Sequence, residues 1–233
     1  MTKLTVKASV APAVLFLETQ IPAKVVVGLN KYLNKLLTDK NKRDYAPSLV
    51  GQIKQGEQLL MEHEHKSVKP LTDIVSWLTQ IYLEQFARVT GLEKVERRPG
   101  MHSMWSVHSY AGDYNPLHDH GTHTQMGISF TTWTMVPPQI ANKKELLNDQ
   151  LFNASGACDG FLEFYFGKSS VRDREELKPS FARSYKPEVG RLLLFPSWCQ
   201  HCVFPFKGEG ERRTIAGNLN MLLPKVDTDT KKD

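Results

Sequence analysis

At Gly100 the hydrophobic pattern of this chain changes period, and that change restricts its fold more than any other feature of its 233 residues. Before it, apolar residues recur twice at helical spacing. Val25, Val26, Leu29, Tyr32, Leu33, Leu36 and Leu37 follow Pro22, a residue that a helix tolerates in its first turn. Ile74, Val75, Leu78, Ile81, Tyr82, Leu83 and Phe86 follow Thr72, a candidate N-cap, and stop before Gly91, which is placed to end the helix. Between the two, residues 39–70 mix charges with Pro47, Gly51 and Gly56 and read as an excursion across the surface. After Gly100 the chain becomes a series of short runs rich in β-branched and aromatic residues, separated by turn formers. The predicted strands are Ser103–Tyr110, Leu117–His120, Gln125–Met135, Gly160–Phe166, Arg191–Phe195, His201–Phe206 and Thr214–Leu223. Consecutive strands without intervening helices close into an antiparallel sandwich or barrel rather than βαβ units. The expected architecture is therefore α+β with a mainly β core over residues 100–224. A helical and loop portion, residues 1–99, packs on it within a single domain, and the Thr/Asp/Lys tail 225–233 frays.

Composition narrows the function classes. Forty per cent hydrophobic residues can fill one core and exclude a disordered chain. Apolar runs such as Ala13–Leu17 and Leu192–Phe195 fall far short of the roughly 20 residues of a membrane span. Residues 1–10 show no export signal, so cytoplasmic residence is expected. Three cysteines, Cys158, Cys199 and Cys202, are too few for a disulfide framework, and the lone C-x-x-C around His201 reads as packing thiols. The net charge is +5, but the basic residues are scattered among acidic neighbours, so nucleic-acid binding is only weakly supported.

The histidines carry more information. His118, His120 and His123 lie within NPLHDHGTH. On a strand, alternate residues share a face, so His118 and His120 would point the same way and Asp119 the other. A divalent centre needs a third protein ligand from elsewhere. His201, at the junction of two predicted strands in GRLLLFPSWCQHCVFPF, is the candidate. His63 and His65 have the same spacing but sit in a charged stretch and read as surface residues.

In these segments the chain resembles the iron(II) and 2-oxoglutarate dependent dioxygenases, especially the small prolyl-hydroxylase-like proteins of bacteria and bacteriophages. The matching segments are HSYAGDYNPLHDH from His108, MGISFTTWTMVP from Met126, GFLEFYFG from Gly160, GRLLLFPSWCQHCVFPF from Gly190 and ERRTIAGNLN from Glu211. The resemblance implies a double-stranded β-helix (jelly roll) with supporting N-terminal helices. Its cofactors would be Fe(II), 2-oxoglutarate as cosubstrate and O₂, and it would hydroxylate a substrate with release of succinate and CO₂. It also implies that His118, position 120 and His201 hold the metal, and that Arg212 with Thr214 binds the cosubstrate, Tyr110 adding its hydroxyl. Arg212, Thr214, Ala216 and Asn218 would share one strand face, with Arg213 turned away, and a guanidinium grips a carboxylate by two parallel hydrogen bonds.

One departure matters: His120 stands where this family places a carboxylate ligand. Either an irregular strand turns Asp119 inward or the metal has three imidazoles, and the three-histidine set is the preferred reading. Trp105, Phe130 and Trp133 are candidate walls of the site. Two alternatives accompany this reading. The cupins fit both histidine boxes but for Gln125, Trp198 and Pro205, and would give a three-His dioxygenase that does not use 2-oxoglutarate. A non-catalytic metal-binding jelly roll would instead engage a partner through its basic surface. A protein residue, a nucleobase or a small molecule all remain compatible as substrate, and residues 40–69 are the expected lid or partner surface.

Overall fold

The computed structural model describes residues 5–11, 14–141, 156, 158–166 and 182–224. The elements run β1 (Val6–Ala11), β2 (Val14–Gln20), α1 (Ala23–Thr38), a single 3-10 turn at Ala46–Ser48, β3 (Gln58–Leu60), α2 (Lys69–Thr90), β4 (Arg98–Ser109), β5 (Asn115–His118), β6 (Gly127–Met135), the short α3 (Pro138–Ala141), β7 (Leu162–Tyr165), β8 (Ala182–Tyr185), β9 (Arg191–Pro196), β10 (His201–Val203) and β11 (Arg212–Leu222). The strands form two antiparallel sheets, one of seven in the order β1-β2-β9-β6-β11-β4-β3 and one of four in the order β5-β10-β7-β8. The fold is mostly β with few helices, as the change of period at Gly100 required. The tail 225–233 lies outside the described residues. Among those residues no helix is long and apolar enough to cross a membrane.

Two cores explain the longest apolar runs. In β9 Leu192 and Leu194 join Leu29, Leu33, Val75 and Leu78 in the core under α1 and α2. Leu193 and Phe195 face the other way, into a second core with Phe16, Phe164, Tyr185 and Trp133. A strand buried on both faces reads as a continuous hydrophobic run, and β2 does the same with Leu15 and Leu17 on one side and Val14 and Phe16 on the other. Gly190 opens β9 at φ +84°, where a side chain would collide with Gln20.

Phe164 is the centre of the second core. It is fully buried, with its ring centroid 4.9 Å from Phe16 and 4.7 Å from Phe195 in edge-on geometry, and it lies directly opposite His201 across the β7–β10 pairing. Phe164→Ala is expected to destabilise the protein by about 3–5 kcal/mol in denaturant titration.

The structure corrects several boundaries. The first hundred residues are more than helices and loops: β1, β2 and β3 all join the large sheet. Helix α2 begins at Lys69, with Val68 at its N-cap and Pro70 in its first turn; Thr72 lies inside, its hydroxyl donating to the His63 carbonyl at 2.7 Å. Gly91 does end the helix, in the left-handed conformation at φ 72°. The strand expected at Leu117–His120 runs instead over Asn115–His118, so His120 lies beyond its end.

Candidate metal centre

His118 and His201 are direct cross-strand partners between β5 and β10, which places residues far apart in sequence with ring centroids 4.3 Å apart. The β5–β10 register shifts between His201 and Val203, and Asn115 and His118 both line the same cavity across that irregularity. His120 reaches the same point from the loop after β5, held there by its backbone N–H donating to the Ser197 carbonyl at 2.9 Å. Its ring lies 5.3 Å from His118 and 4.9 Å from His201. One ring nitrogen from each of the three falls within 4.8 Å of the others, while Asp119 is exposed and outside this group.

The second ring nitrogens are all occupied. His118 Nδ1 donates to the Pro116 carbonyl at 2.7 Å, His201 Nδ1 to the Cys199 carbonyl at 2.9 Å, and His120 Nδ1 to Asn218 Oδ1 at 2.9 Å. Each hydrogen bond puts the proton on Nδ1 and leaves Nε2 as a free lone pair, the arrangement that metal-binding imidazoles need. Burial lowers the pKa of all three rings, reinforced at His120 by His118 and bringing His120 to about 4, so they stand neutral at physiological pH. Three neutral, convergent imidazoles fit a divalent transition metal.

Arg212 lies in the same cavity, a space of about 300 Å³ between the sheets. It is 1% exposed. Nη1 donates to the Gly160 and Phe204 carbonyls at 3.0 and 3.1 Å, and Nη2 to Ser109 Oγ at 3.3 Å. Nε is buried with no partner, and among the described residues no carboxylate forms an ion pair with this guanidinium. Burial pulls its pKa down to about 10, with Asp113 acting against that shift, so it remains cationic. A buried charge without a paired counter-charge is costly, and an anion entering the cavity would offset that cost. Thr214, Ala216 and Asn218 follow on the same strand face of β11 and line the same cavity.

Trp105 and Trp133 are nearly fully buried and wall the site; the Trp105 ring lies 5.6 Å from His120 and 5.6 Å from Tyr45. Phe130 touches the cavity but packs chiefly in the core under the helices. The mouth is formed in part by Tyr45, Ser48, Leu49 and Val50, within the segment read as a surface excursion. His102 and Ser103 line both the cavity and an open groove beside it, which runs past Tyr32, Lys42 and Glu62.

Tyr110 is not among the cavity-lining residues. In β4 the odd-numbered Ser103, Trp105, Val107 and Ser109 face the cavity, and Tyr110 falls on the other parity. Its hydroxyl is raised in pKa by burial and by Glu211, which belongs to a cluster on the far face. Arg213 heads that cluster. Its Nε and Nη2 donate to the two Glu211 oxygens at 2.7 and 2.8 Å, and its Nη1 to Asn30 and Asn34 of α1. His108 Nδ1 completes the cluster at 2.6 Å from Glu211. Cys199 is fully buried in the inter-sheet core and Cys202 is half-buried, both as free thiols. His65 stacks on Tyr32 and takes no part in the site.

The Glu211 cluster predicts a pH dependence. Burial would raise the Glu211 carboxyl, but hydrogen bonds from His108 and Arg213 outweigh it and hold the pKa at about 2. The native state thus binds fewer protons than the unfolded chain. Stability is fully present above about pH 4.5 and is lost as pH falls towards 2, by about 2–3 kcal/mol. Urea titrations at pH 7 and pH 3 should show this loss in the wild type and its absence in Glu211→Gln. Equal losses in both would contradict the assignment.

Two facing sheets thus enclose three convergent imidazoles and a buried guanidinium in one cavity. A family model described as 2OG-Fe(II) oxygenase matches residues 103–218, about half of the chain, which takes in all three histidines and Arg212. The chain belongs to this family of enzymes, and its cofactors are Fe(II), 2-oxoglutarate and O₂. A Pseudomonas putida prolyl-4-hydroxylase is similar in fold at 11% identity, with 88% of this chain and 92% of that chain covered and a TM-score of 0.52. A Trichoplax adhaerens prolyl hydroxylase, solved with a hypoxia inducible factor peptide fragment, shares 13% identity over 88% of this chain and 83% of its own, with a TM-score of 0.51. SnoK, a non-heme alpha ketoglutarate dependent carbocyclase from nogalamycin biosynthesis, gives a TM-score of 0.55 at 10% identity over 89% and 79%. No curated protein matches the chain in sequence.

Proposed function

We propose that the chain hydroxylates its substrate at an iron held by His118, His120 and His201, with 2-oxoglutarate anchored by Arg212 and Thr214 and consumed to succinate and CO₂. The observation that carries this reading is Arg212, a buried guanidinium with an unpartnered Nε, in the lining of the cavity that also receives the three imidazoles. A three-His dioxygenase that does not use 2-oxoglutarate would have no use for that cation. The sheet topology supports a double-stranded β-helix, because from β4 onward the chain passes repeatedly between the sheets, with β4, β6, β9 and β11 in one and β5, β7, β8 and β10 in the other.

When bound, Fe(II) with 2-oxoglutarate and O₂ supplies the oxidising chemistry. The chain's own residues position and protect it. The three imidazoles present neutral Nε2 lone pairs, which a divalent cation can enter without displacing protons. Arg212 offers Nε–H to a carboxylate in a dry setting, where a charge-assisted hydrogen bond is strong. Trp105 and Trp133 keep water away from the reacting centre. The cavity is at the small end for ligand sites, so once the cosubstrate is in place the substrate inserts a small group and its remainder stays at the mouth, between residues 45–50 and Asp119.

Purified protein loaded with Fe(II) should convert 2-oxoglutarate to succinate and CO₂ in air, faster when a true substrate is added. Well-folded, iron-loaded protein that binds no 2-oxoglutarate and forms no succinate would overturn this reading.

A further inference from the structure

Among the three histidines, only His120 directs its outer nitrogen at side chains rather than at a backbone carbonyl. His120 Nδ1 lies 2.9 Å from Asn218 Oδ1 and 3.0 Å from Ser129 Oγ. Ser129 Oγ is in turn 2.8 Å from the same Asn218 oxygen and 2.9 Å from Ser197 Oγ. All three partners are buried: Asn218 on β11 is 7% exposed, Ser197 at the end of β9 is 4% and Ser129 on β6 is 0%. With Asn218 Oδ1 facing the ring, the hydrogens around His120 can be placed in only one consistent way. The Asn218 carbonyl oxygen accepts from both Ser129 and His120, the Ser197 hydroxyl donates to Ser129, and His120 carries its proton on Nδ1. The opposite tautomer would set a ring lone pair against the Asn218 carbonyl oxygen and leave Nε2, the atom facing His118 and His201, protonated and unable to bind a metal.

We propose that Asn218 is a positioning residue for the metal centre, selecting the tautomer and aim of His120 through its side-chain oxygen, with Ser129 and Ser197 holding that oxygen in place. The proposal rests on the reading of His120 as a ligand. It also accounts for how a histidine works where a carboxylate is usual. A carboxylate binds in either orientation of its two oxygens, whereas an imidazole in a loop binds in only one of its two tautomers, and the loop supplies no carbonyl to choose between them. The choice is made from two strands of the large sheet, β6 and β11, and from the turn that follows β9, where all three partner side chains are buried.

The test uses the full chain and two readouts. The first is the ¹⁵N NMR signature of His120 in the metal-free protein, which distinguishes Nδ1–H from Nε2–H. The second is Mn(II) affinity by calorimetry. The wild type should show His120 as Nδ1–H. Asn218→Leu should shift it towards Nε2–H and weaken Mn(II) binding about 10- to 100-fold. Asn218→Asp keeps an acceptor oxygen at the same place and should retain Nδ1–H and bind Mn(II) at least as tightly as the wild type. An Nε2–H tautomer in the wild type would overturn the proposal, even if Asn218→Leu failed to fold, and so would equal loss of Mn(II) affinity in both Asn218 variants. His118→Ala separates the two layers: retention of Mn(II) by that variant would refute the three-histidine site itself, while the tautomer of His120 would still test Asn218.

Discussion

His118→Ala is expected to abolish succinate formation and to weaken Fe(II) binding by at least about 100-fold, more than the loss of a single hydrogen-bond partner to a ligand would give. The argument is geometric. His118 faces His201 across the β5–β10 pairing and its Nδ1 is tied to the Pro116 carbonyl, so its removal leaves two imidazoles, one on a strand and one on a loop. Two ligands do not fix a divalent centre. His118 is also only half-buried, so the alanine variant should keep the wild-type thermal midpoint without metal, which separates loss of a ligand from loss of fold. His201→Ala should lose iron equally, but with some loss of stability as well, because His201 is buried and packs 5.3 Å from Phe164 and 5.3 Å from Phe195. Full iron occupancy in His118→Ala, measured after desalting, would contradict the assignment.

The second large effect is at Arg212. Truncating one partner of a buried charge pair costs about 2–5 kcal/mol, a loss of about 30-fold to several thousandfold in 2-oxoglutarate affinity. Arg212→Met is the better probe than alanine, since it fills the space between Gly160, Phe204 and Phe206 with an uncharged chain. In the absence of cosubstrate this variant should be at least as stable as the wild type, because it removes a buried cation that forms no ion pair among the described residues. Iron binding should be unchanged. Arg212→Lys should restore little, because a lysine cannot offer the Nε–H that stands free while also reaching both backbone carbonyls. The expected combination of normal iron affinity, undiminished stability and lost cosubstrate binding is one that a structural arginine would not produce.

How far the sequence could be read follows from which side chains signal through spacing. Arg212, Thr214, Ala216 and Asn218 alternate along β11, and period two puts all four on the cavity face, with Arg213 behind it, despite a register shift against β6 between Arg213 and Thr214. The β2 strand was illegible because both its faces are buried, so Val14–Leu17 shows no alternation. Alternation along a strand aligns His120 with His118, whereas the strand ends at His118 and a loop bonded to Ser197 brings the His120 ring beside the other two. Tyr110 rests on the resemblance alone, with no spacing to place its hydroxyl, and it lies just past the end of β4, off the cavity lining. The contacts of Asn218, Ser129 and Ser197 span up to 98 residues of sequence separation and no local pattern announces them. The one available signal was that Asn218 shares the Arg212 face. Residues 45–50 carry no period at all, because a segment that walls a cavity mouth follows neither a helix nor a strand.

The central claim, one cavity in which three imidazoles hold iron and Arg212 holds the cosubstrate, is tested most directly by anaerobic calorimetric titration of 2-oxoglutarate into the protein with and without Fe(II). The account predicts saturable binding of one equivalent that tightens sharply when Fe(II) is present. Binding of equal strength in the iron-loaded and metal-free protein, or none in either, would contradict it.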